Sequence, residues 1–130
     1  MIVDTSAVLA ILLEESEGPA FKRLIAETPG DHAISPMNYL EAAVRVDRLP
    51  VRGKAEELDP LLDALDVKIA ASTAQQAKLA REAYQRFGRG NHAAQLNLGD
   101  CFAYALSKAR SEPLLFKGDD FRKTDVEAAL

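Results

Sequence analysis

The chain has 130 residues, of which 48% are hydrophobic and 28% charged, a composition that excludes a disordered or fibrous protein and predicts one folded domain over residues 1–130. Its 20 acidic and 16 basic residues give a formal net charge of -4, which excludes a protein that coats nucleic acid by bulk charge alone. Cys101 is the single cysteine, so no intrachain disulfide can form, and without an evident signal or membrane segment we expect a cytoplasmic protein.

The first predicted element is a strand in the opening segment MIVDTSAVLAI. Residues 1–3 form a continuous apolar run, which is typical of a strand that is buried on both faces of a parallel sheet. Asp4 follows at once, and Thr5 and Ser6 are the predicted N-cap of a first helix. That helix should end at the acidic segment 14–17. The position of Asp4, between two apolar segments, is unusual for a charged residue.

Two further helices and a strand are predicted up to residue 50. Pro19 suits the first turn of a second helix, which should stop near Thr28. A short strand over His32–Ser35 then leads into a third helix, with Ser35 as its cap and a proline at its first position. This helix should end near Arg48, just before a further proline.

The second half of the chain continues the alternation of helices and strands. Leucines at helical spacing predict a helix over residues 58–65, and VKIAA at 67–71 predicts a strand. Residues 74–87 form an amphipathic helix whose predicted buried side chains are Ala77, Leu79, Ala80 and Tyr84. Residues 88–99 (GRGNHAAQLNLG) are the longest predicted loop, of a composition typical of functional loops.

The last predicted elements are a helix, a strand and a turn. Asp100 opens the helix, residues 113–117 (PLLFK) form an apolar strand, and the following GDDF forms a sharp turn. Strands that alternate with helices predict an α/β fold, a three-layer α/β/α domain with a small, mainly parallel central sheet. In such sheets the ligand crevice lies at the edge where the strands end.

Four chain segments bring an acidic residue toward that edge: Asp4, Glu41, Asp100, and Asp119 with Asp120. Each acid also has an ordinary structural explanation. Asp4 and Asp100 could be helix N-caps, Glu41 could border an apolar helix stripe, and one residue of the Asp119–Asp120 pair could serve the turn. The convergence of these acids on one edge is the stronger evidence, and it indicates a shared site. A turn does not need two acids, and a helix N-cap does not need apolar neighbours.

Carboxylates that share one edge repel each other, by about 4 kcal/mol for two charges 4 Å apart at an effective dielectric of 20. A bound cation would remove this repulsion, and oxygen-only ligands suit Mg²⁺, with Mn²⁺ as a substitute. Zinc is not expected, because Cys101, His32 and His92 do not have zinc-ligand spacing. The sequence therefore favours hydrolysis with a divalent metal, in which the metal activates a water molecule that attacks a phosphodiester bond.

A polyanionic substrate would also need a basic rim around the acids. The candidates lie after the Glu41 helix, in the long loop and near the last acids: Arg45, Arg48, Arg52, Lys54, Arg86, Arg89, His92, Lys117, Arg122 and Lys123. Each of these side chains could equally be an ordinary solvated charge.

Four motifs in order, MIVDTSAVLAI, YLEAAV, LGDCFAYALSKA and PLLFKGDDFRKTD, resemble the PIN-domain ribonucleases, most closely the VapC-type toxins of bacterial toxin-antitoxin pairs. The resemblance implies a Mg²⁺- or Mn²⁺-dependent endoribonuclease that inhibits translation and growth by cutting RNA. It further implies a cognate VapB-like antitoxin, and a homodimer that forms a heterotetramer or larger complex with it. No membrane partner is implied.

By position, the resemblance makes Asp4, Glu41 and Asp100 the first three catalytic, metal-binding acids. Asp120 is the preferred fourth acid, because it directly precedes an aromatic residue, and Asp119 is the alternative. Thr5 or Ser6 matches the hydroxyl residue beside the first acid, which would hold a carboxylate or water.

Two other functions remain open at this point. A haloacid-dehalogenase-like phosphatase also has an aspartate after its first strand, but it needs a second aspartate two residues on, where this chain has Ser6. A non-cleaving PIN-like module would bind RNA in the same pocket without hydrolysing it. It is disfavoured because all four acid positions are filled.

Overall fold

Four short parallel strands form the central sheet of the computed structural model, which describes residues 1–51 and 53–130. The strands are β1 (Ile2–Val3), β2 (His32–Ile34), β3 (Val67–Ile69) and β4 (Leu114–Leu115). Their order across the sheet is β3-β2-β1-β4, so that Ile2 pairs with Ala33 on one side and with Leu114 on the other. The predicted parallel sheet is confirmed, and β1 lies inside it rather than at an edge.

Within residues 1–51 and 53–130, six α-helices connect and cover the strands. They are α1 (Thr5–Leu12), α2 (Gly18–Glu27), α3 (Pro36–Asp47), α4 (Lys54–Ala64), α5 (Ala74–Phe87) and α6 (Leu98–Arg110), and a 3-10 turn follows at Phe121–Lys123. Ser35 caps α3 and Thr73 caps α5 through their side chains, as the sequence predicts. None of these described helices is both long and apolar enough to cross a membrane.

The helices form two layers because successive strand residues point to opposite faces of the sheet. Val3 and Leu115 belong to an apolar cluster with α1 to α4, whereas Ile2 and Leu114 belong to a second cluster with α5 and α6. β1, β2 and β4 are therefore buried on both faces, whereas Lys68 and Ile69 of the edge strand β3 are exposed. The three-layer α/β/α architecture is confirmed.

The inward face of α5 differs from its prediction. Ala80, Ala83 and Phe87 are buried, while Ala77 is exposed and Tyr84 is 48% exposed. The buried residues follow the three- and four-residue spacing of one helix face, and that face packs against α6. The sequence did not reveal which of two adjacent apolar stripes would meet α6.

The segment predicted as a functional loop is held in place by its own contacts. Arg89 N donates to Leu96 O over 3.0 Å, Leu96 N donates to Phe87 O over 3.0 Å, and Leu96 is completely buried. The ring of His92 packs edge-on against Phe87, with ring centroids 5.2 Å apart. Most of this segment is therefore structural, and Asn97, near its end, reaches the cleft described below. The last two residues of the predicted loop, Leu98 and Gly99, instead begin α6.

Candidate active site

Asp4 lies where β1 ends and α1 begins, and only 3% of it is exposed. Its Oδ2 accepts hydrogen bonds from Ser6 N over 2.9 Å and from Ser6 Oγ over 2.6 Å. Asp4 itself is therefore the N-cap of α1, and the prediction that Thr5 or Ser6 fills this position is wrong. Burial raises the pKa of Asp4, because it disfavours the charged form more than these hydrogen bonds favour it.

Glu41 is half-buried on α3 and points toward the same place. Thr5 Oγ1 donates to Glu41 Oε2 over 3.0 Å, so the first turn of α1 is joined to the middle of α3. The pKa of Glu41 is raised, first by burial and then by the negative charge of Asp4. These two carboxylates therefore share one electrostatic environment, although they are 37 positions apart in the chain.

Asp100 is the third acid, and it lies inside the first turn of α6 rather than at its cap. Asn97 is the N-cap: its Oδ1 accepts from Asp100 N over 2.8 Å, and Asp100 Oδ2 accepts from Asn97 N over 3.0 Å. This reciprocal pair is a capping box, so the prediction that Asp100 opens the helix is off by three residues. Helix-end assignment from sequence depends on such hydrogen bonds, which the pattern of apolar residues does not show.

The pKa of Asp100 is raised to about 7. Burial is the largest cause, and the charges of Asp4, Glu41 and Asp120 raise it further. A carboxyl group at this pKa is half-protonated near neutral pH, chiefly because burial disfavours its charged form and secondly because the neighbouring carboxylates oppose its ionisation. Four separate segments of the chain thus contribute charge to one location.

Asp119 and Asp120 follow β4 in an exposed turn. Their backbone carbonyls accept hydrogen bonds from Arg122 N and Lys123 N, over 3.1 Å and 3.2 Å, as expected of turn residues. The charge of Asp120 raises the pKa of Asp100, and Asp119 is not among the causes of that shift. This difference supports the preference for Asp120 as the fourth acid.

The two hydroxyl residues beside Asp4 serve different acids. Ser6 holds Asp4, whereas Thr5 holds Glu41. Ser6 Oγ also accepts a hydrogen bond of 2.9 Å from Lys117 N, which joins the end of β4 to the end of β1. Both hydroxyls hold a carboxylate, one of the two roles expected for a hydroxyl residue at this position.

The acids open into a cleft of about 620 Å³. Asp4, Glu41 and Asp100 line it together with exposed apolar residues of α3, Leu40 and Val44. Arg45 on α3 and Arg48, the residue that caps its C-terminus, also line the cleft. The cleft therefore combines negative, apolar and positive surface, as a site for a phosphate-bearing chain requires.

Other predicted rim residues have different surroundings. Lys54 lines a separate groove, Arg86 contacts Tyr104 and Asp125, and Lys117 pairs with Glu15 and Glu17. Near the end of the chain, Arg122 donates a hydrogen bond to Leu130 O and Lys123 donates one to Ala93 O. In the long loop, the ring of His92 accepts a hydrogen bond from Ala94 N, and Arg89 is exposed. Arg52 lies outside the described residues. Of the predicted set, Arg45 and Arg48 are the ones found in the cleft lining.

Sequence reasoning missed Asn38, which is fully buried on α3. Its side chain contacts Asp4, Thr5 and the backbone of Gly99, and so lies among the acids. The available signal was its spacing, since Asn38 lies three residues before Glu41 and hence on the same face of the helix. An uncharged amide attracted no notice beside the carboxylates.

The site suits a divalent cation because its donor atoms are carboxylate oxygens. Burial raises the pKa values of Glu41 and Asp100, and the neighbouring carboxylates raise them further. Within residues 1–51 and 53–130, however, no three His, Cys, Asp or Glu side chains are already gathered closely enough to hold a metal ion. Hydrogen bonds from Ser6, Thr5 and the backbone N of Asn97 each hold one carboxylate oxygen of Asp4, Glu41 and Asp100, respectively.

A sequence model described as the PIN domain matches residues 1–127. The chain belongs to the PIN-domain family. This PIN domain is 44% identical over 128 residues to a protein of Mycolicibacterium smegmatis named ribonuclease VapC, with 98% of each chain covered. It is 45% identical over 133 residues to ribonuclease VapC28 of Mycobacterium tuberculosis, covering 100% of this chain and 98% of that one.

A solved structure agrees with this assignment at the level of the fold. The crystal structure of VapC20 from Mycobacterium tuberculosis, described as a toxin that cleaves the sarcin-ricin loop, superposes with a TM-score of 0.77. The match covers 96% of this PIN domain and 95% of VapC20 at 18% sequence identity. The resemblance to VapC-type PIN domains and the predicted fold are confirmed, and the predicted enzyme class agrees with the names of the relatives.

Proposed function

We propose that this PIN domain is a Mg²⁺-dependent endoribonuclease that hydrolyses phosphodiester bonds in RNA, with Mn²⁺ able to substitute for Mg²⁺. The observation that carries the proposal is the pKa of Asp100, raised to about 7 by burial and by the charges of Asp4, Glu41 and Asp120. A cation bound at this site would offset the negative charge that these acids concentrate there. The relatives named ribonuclease VapC support RNA as the substrate.

Asp4, Glu41, Asp100 and Asp120 would hold the metal, and Asp119 is the alternative to Asp120. When bound, a divalent cation activates water and offsets the charge that develops on a phosphoryl oxygen. The chain's own contribution is to orient the carboxylates: Ser6 holds Asp4 and Thr5 holds Glu41.

The lining of the cleft suits a single-stranded RNA segment. Arg45 and Arg48 would contact phosphates, and the exposed side chains of Leu40 and Val44 would contact bases or sugars. A local pair of arginines is consistent with a net charge of -4 for the whole chain, because only the cleft has to attract the substrate.

We further propose that the domain acts in the cytoplasm as the toxin of a VapBC-type pair, inhibiting translation and growth. A VapB-like antitoxin would neutralise it, and a homodimer would assemble with the antitoxin into a heterotetramer or larger complex. Support comes from the relatives named VapC and from the structural neighbour, which is described as a toxin.

The decisive experiment incubates purified protein and total RNA with Mg²⁺, with Mn²⁺, or with excess chelator. Cleavage should require one of the metals and should be lost in Asp4→Asn and Asp100→Asn, while the exposed Asp63→Asn serves as a control and stays active. Cleavage that persists in excess chelator would contradict the proposal. Intact RNA under every condition would indicate a binding module, and phosphate release from small monoesters would indicate a phosphatase.

Two additional tests address the toxin role. Mapping RNA ends after brief expression would show whether transfer, ribosomal or messenger RNA is cut. Co-expression with the protein encoded by a short adjacent reading frame should restore growth if that protein is the antitoxin. Growth that is unaffected by expression of the active enzyme would refute the toxin role without refuting the nuclease.

A further inference from the structure

Asn38 carries a buried amide group whose hydrogen bonds all lead toward the acids. It is completely buried on α3. Its Oδ1 accepts a hydrogen bond from the Ser35 hydroxyl, and its Nδ2 lies 3.3 Å from Asp4 Oδ1, 3.2 Å from Thr5 Oγ1 and 3.1 Å from Gly99 O. A backbone carbonyl can only accept, so the NH₂ group must face Gly99, and this determines the orientation of the amide.

The three acceptors belong to two segments that bear acids, the start of α1 and the start of α6. Asp4 is reached directly. Thr5 is the residue that donates to Glu41, and Gly99 is the residue before Asp100 in the first turn of α6. One side chain therefore connects the ends of two helices to α3, over separations of 34 and 61 positions in the chain.

A purely local role in capping α3 does not account for this side chain. Ser35 Oγ already accepts from the backbone Asn38 N over 3.1 Å, and that bond caps the helix with any residue other than proline at position 38. The NH₂ group of Asn38 instead lies within hydrogen-bonding distance of Asp4, Thr5 and Gly99. A hydrogen bond from the Asn38 side chain also opposes the rise in the pKa of Glu41.

We propose that Asn38 is a positioning residue that keeps Asp4, the Thr5–Glu41 pair and the start of α6 in register, so that the carboxylates can converge on one divalent cation. The inference rests on the proposed function only in taking the acids as metal ligands. Asn38 does not itself contact the cation or the RNA in this role.

The test measures Mn²⁺ binding by the loss of the free-ion electron paramagnetic resonance signal, without RNA. Asn38→Ala should weaken Mn²⁺ binding by about 10- to 100-fold, the usual effect of removing a group that orients metal ligands. RNA cleavage by the same variant should show a lower kcat with little change in KM, since Arg45 and Arg48 remain in place. Should Asn38→Ala fail to fold, Asn38→Ser provides a smaller polar side chain with α3 still capped by Ser35.

Ser107→Ala is the matched control. Ser107 is also buried, and its hydroxyl donates to Glu112 O over 2.6 Å, but it lies near the opposite end of α6 from Asp100. This variant should lose stability comparably and keep its affinity for Mn²⁺. Equal weakening of Mn²⁺ binding by Ser107→Ala would show a general loss of stability and would overturn the inference.

Wild-type affinity for Mn²⁺ in the folded Asn38 variants would also overturn it, and so would a wild-type protein that binds no Mn²⁺. The outcome is separable from the proposed function. If Mn²⁺ binding depends on Asn38 but RNA stays intact, the positioning role stands and the endoribonuclease proposal fails. If RNA is cut and Mn²⁺ binding is insensitive to Asn38, the endoribonuclease proposal stands and the positioning role of Asn38 fails.

Discussion

The carboxylate of Glu41 lies directly against the Cα of Gly99, so closely that a Cβ at position 99 would overlap both of its oxygens. Gly99 lies next to Asp100 in α6, and the contact therefore joins the second acid to the segment of the third. Gly99 lies inside a regular helix, where its backbone conformation would suit any residue. It is therefore the close approach of Glu41 that favours glycine here.

Gly99→Ala should displace the Glu41 carboxylate and reduce RNA cleavage by about tenfold or more, the usual effect of disturbing a contact that orients a metal ligand. Stability should change little, because the overlapping atoms end a flexible side chain and alanine favours a helix by up to about 1 kcal/mol relative to glycine. Thermal unfolding and kcat measured on the same preparation check both parts. Full activity in the variant would show that Glu41 need not remain in this position.

The stability of the metal-free protein should depend on Asp100. Its folded pKa of about 7 exceeds the ordinary value of 3.8, so the folded state binds more protons between these values. The free energy of unfolding should therefore fall as pH rises from about 4 to about 7. Asp100→Asn should weaken this dependence, of which the raised pKa values of Asp4 and Glu41 preserve a part. The variant should be more stable than wild type at pH 8 by about 1 kcal/mol or more.

Urea unfolding at pH 5 and pH 8 in the presence of a chelator measures this effect. Asp63→Asn, at an exposed position of α4, is the control and should follow the wild type. A wild-type protein equally stable at both pH values would contradict the raised pKa of Asp100.

The two adjacent acids after β4 should not be equivalent. Asp120→Asn should reduce cleavage strongly and should lower the pKa of Asp100, because one of the charges that raise it is removed. Asp119→Asn should leave both close to wild type. Titration of the Asp100 carboxyl by ¹³C NMR in the two variants, together with kcat, distinguishes them. A greater effect of Asp119→Asn on both quantities would reverse the assignment.

The Ser6 hydroxyl should influence the pKa of Asp4. Its hydrogen bond of 2.6 Å lowers the pKa of Asp4 against the effect of burial. Ser6→Ala should therefore raise that pKa further and move the acid side of the pH–activity profile to higher pH, with a lower kcat. Thr5→Ser, which keeps the hydroxyl that serves Glu41, is the matched control and should retain the wild-type profile. An unmoved profile in Ser6→Ala would show that another group limits activity at low pH.

Arg45 and Arg48 should contribute to RNA binding rather than to chemistry. The double variant Arg45→Gln/Arg48→Gln should raise KM about tenfold at nearly constant kcat. It should also reduce the slope of log affinity against log salt by about 1.4, if each side chain neutralises one phosphate of single-stranded RNA. Arg110→Gln, at the far end of α6, is the control. An unchanged salt slope in the double variant would place the RNA elsewhere.

Much of the fold could be predicted because it depends on local patterns. The apolar run before Asp4 indicated a strand buried on both faces, and Ser35 followed by a proline marked the start of α3. The N-cap at Asn97 was missed, and the cap of α1 was left open between Asp4 and the two residues after it, because side-chain bonds to the backbone are not visible as periodicity. The inward face of α5 was missed because it depends on the partner helix.

The sequence by itself determined the α/β class and the set of acids at the strand ends, since hydrophobic periodicity dictates which segments are buried and parallel strands end at one edge. Only the tertiary structure decided that Asp120 acts on Asp100, that Arg45 and Arg48 line the cleft, and that Asn38 connects the acid-bearing segments. Those relationships join residues far apart in the chain. They arise from how α3 and α6 pack beside the sheet, which no local pattern specifies.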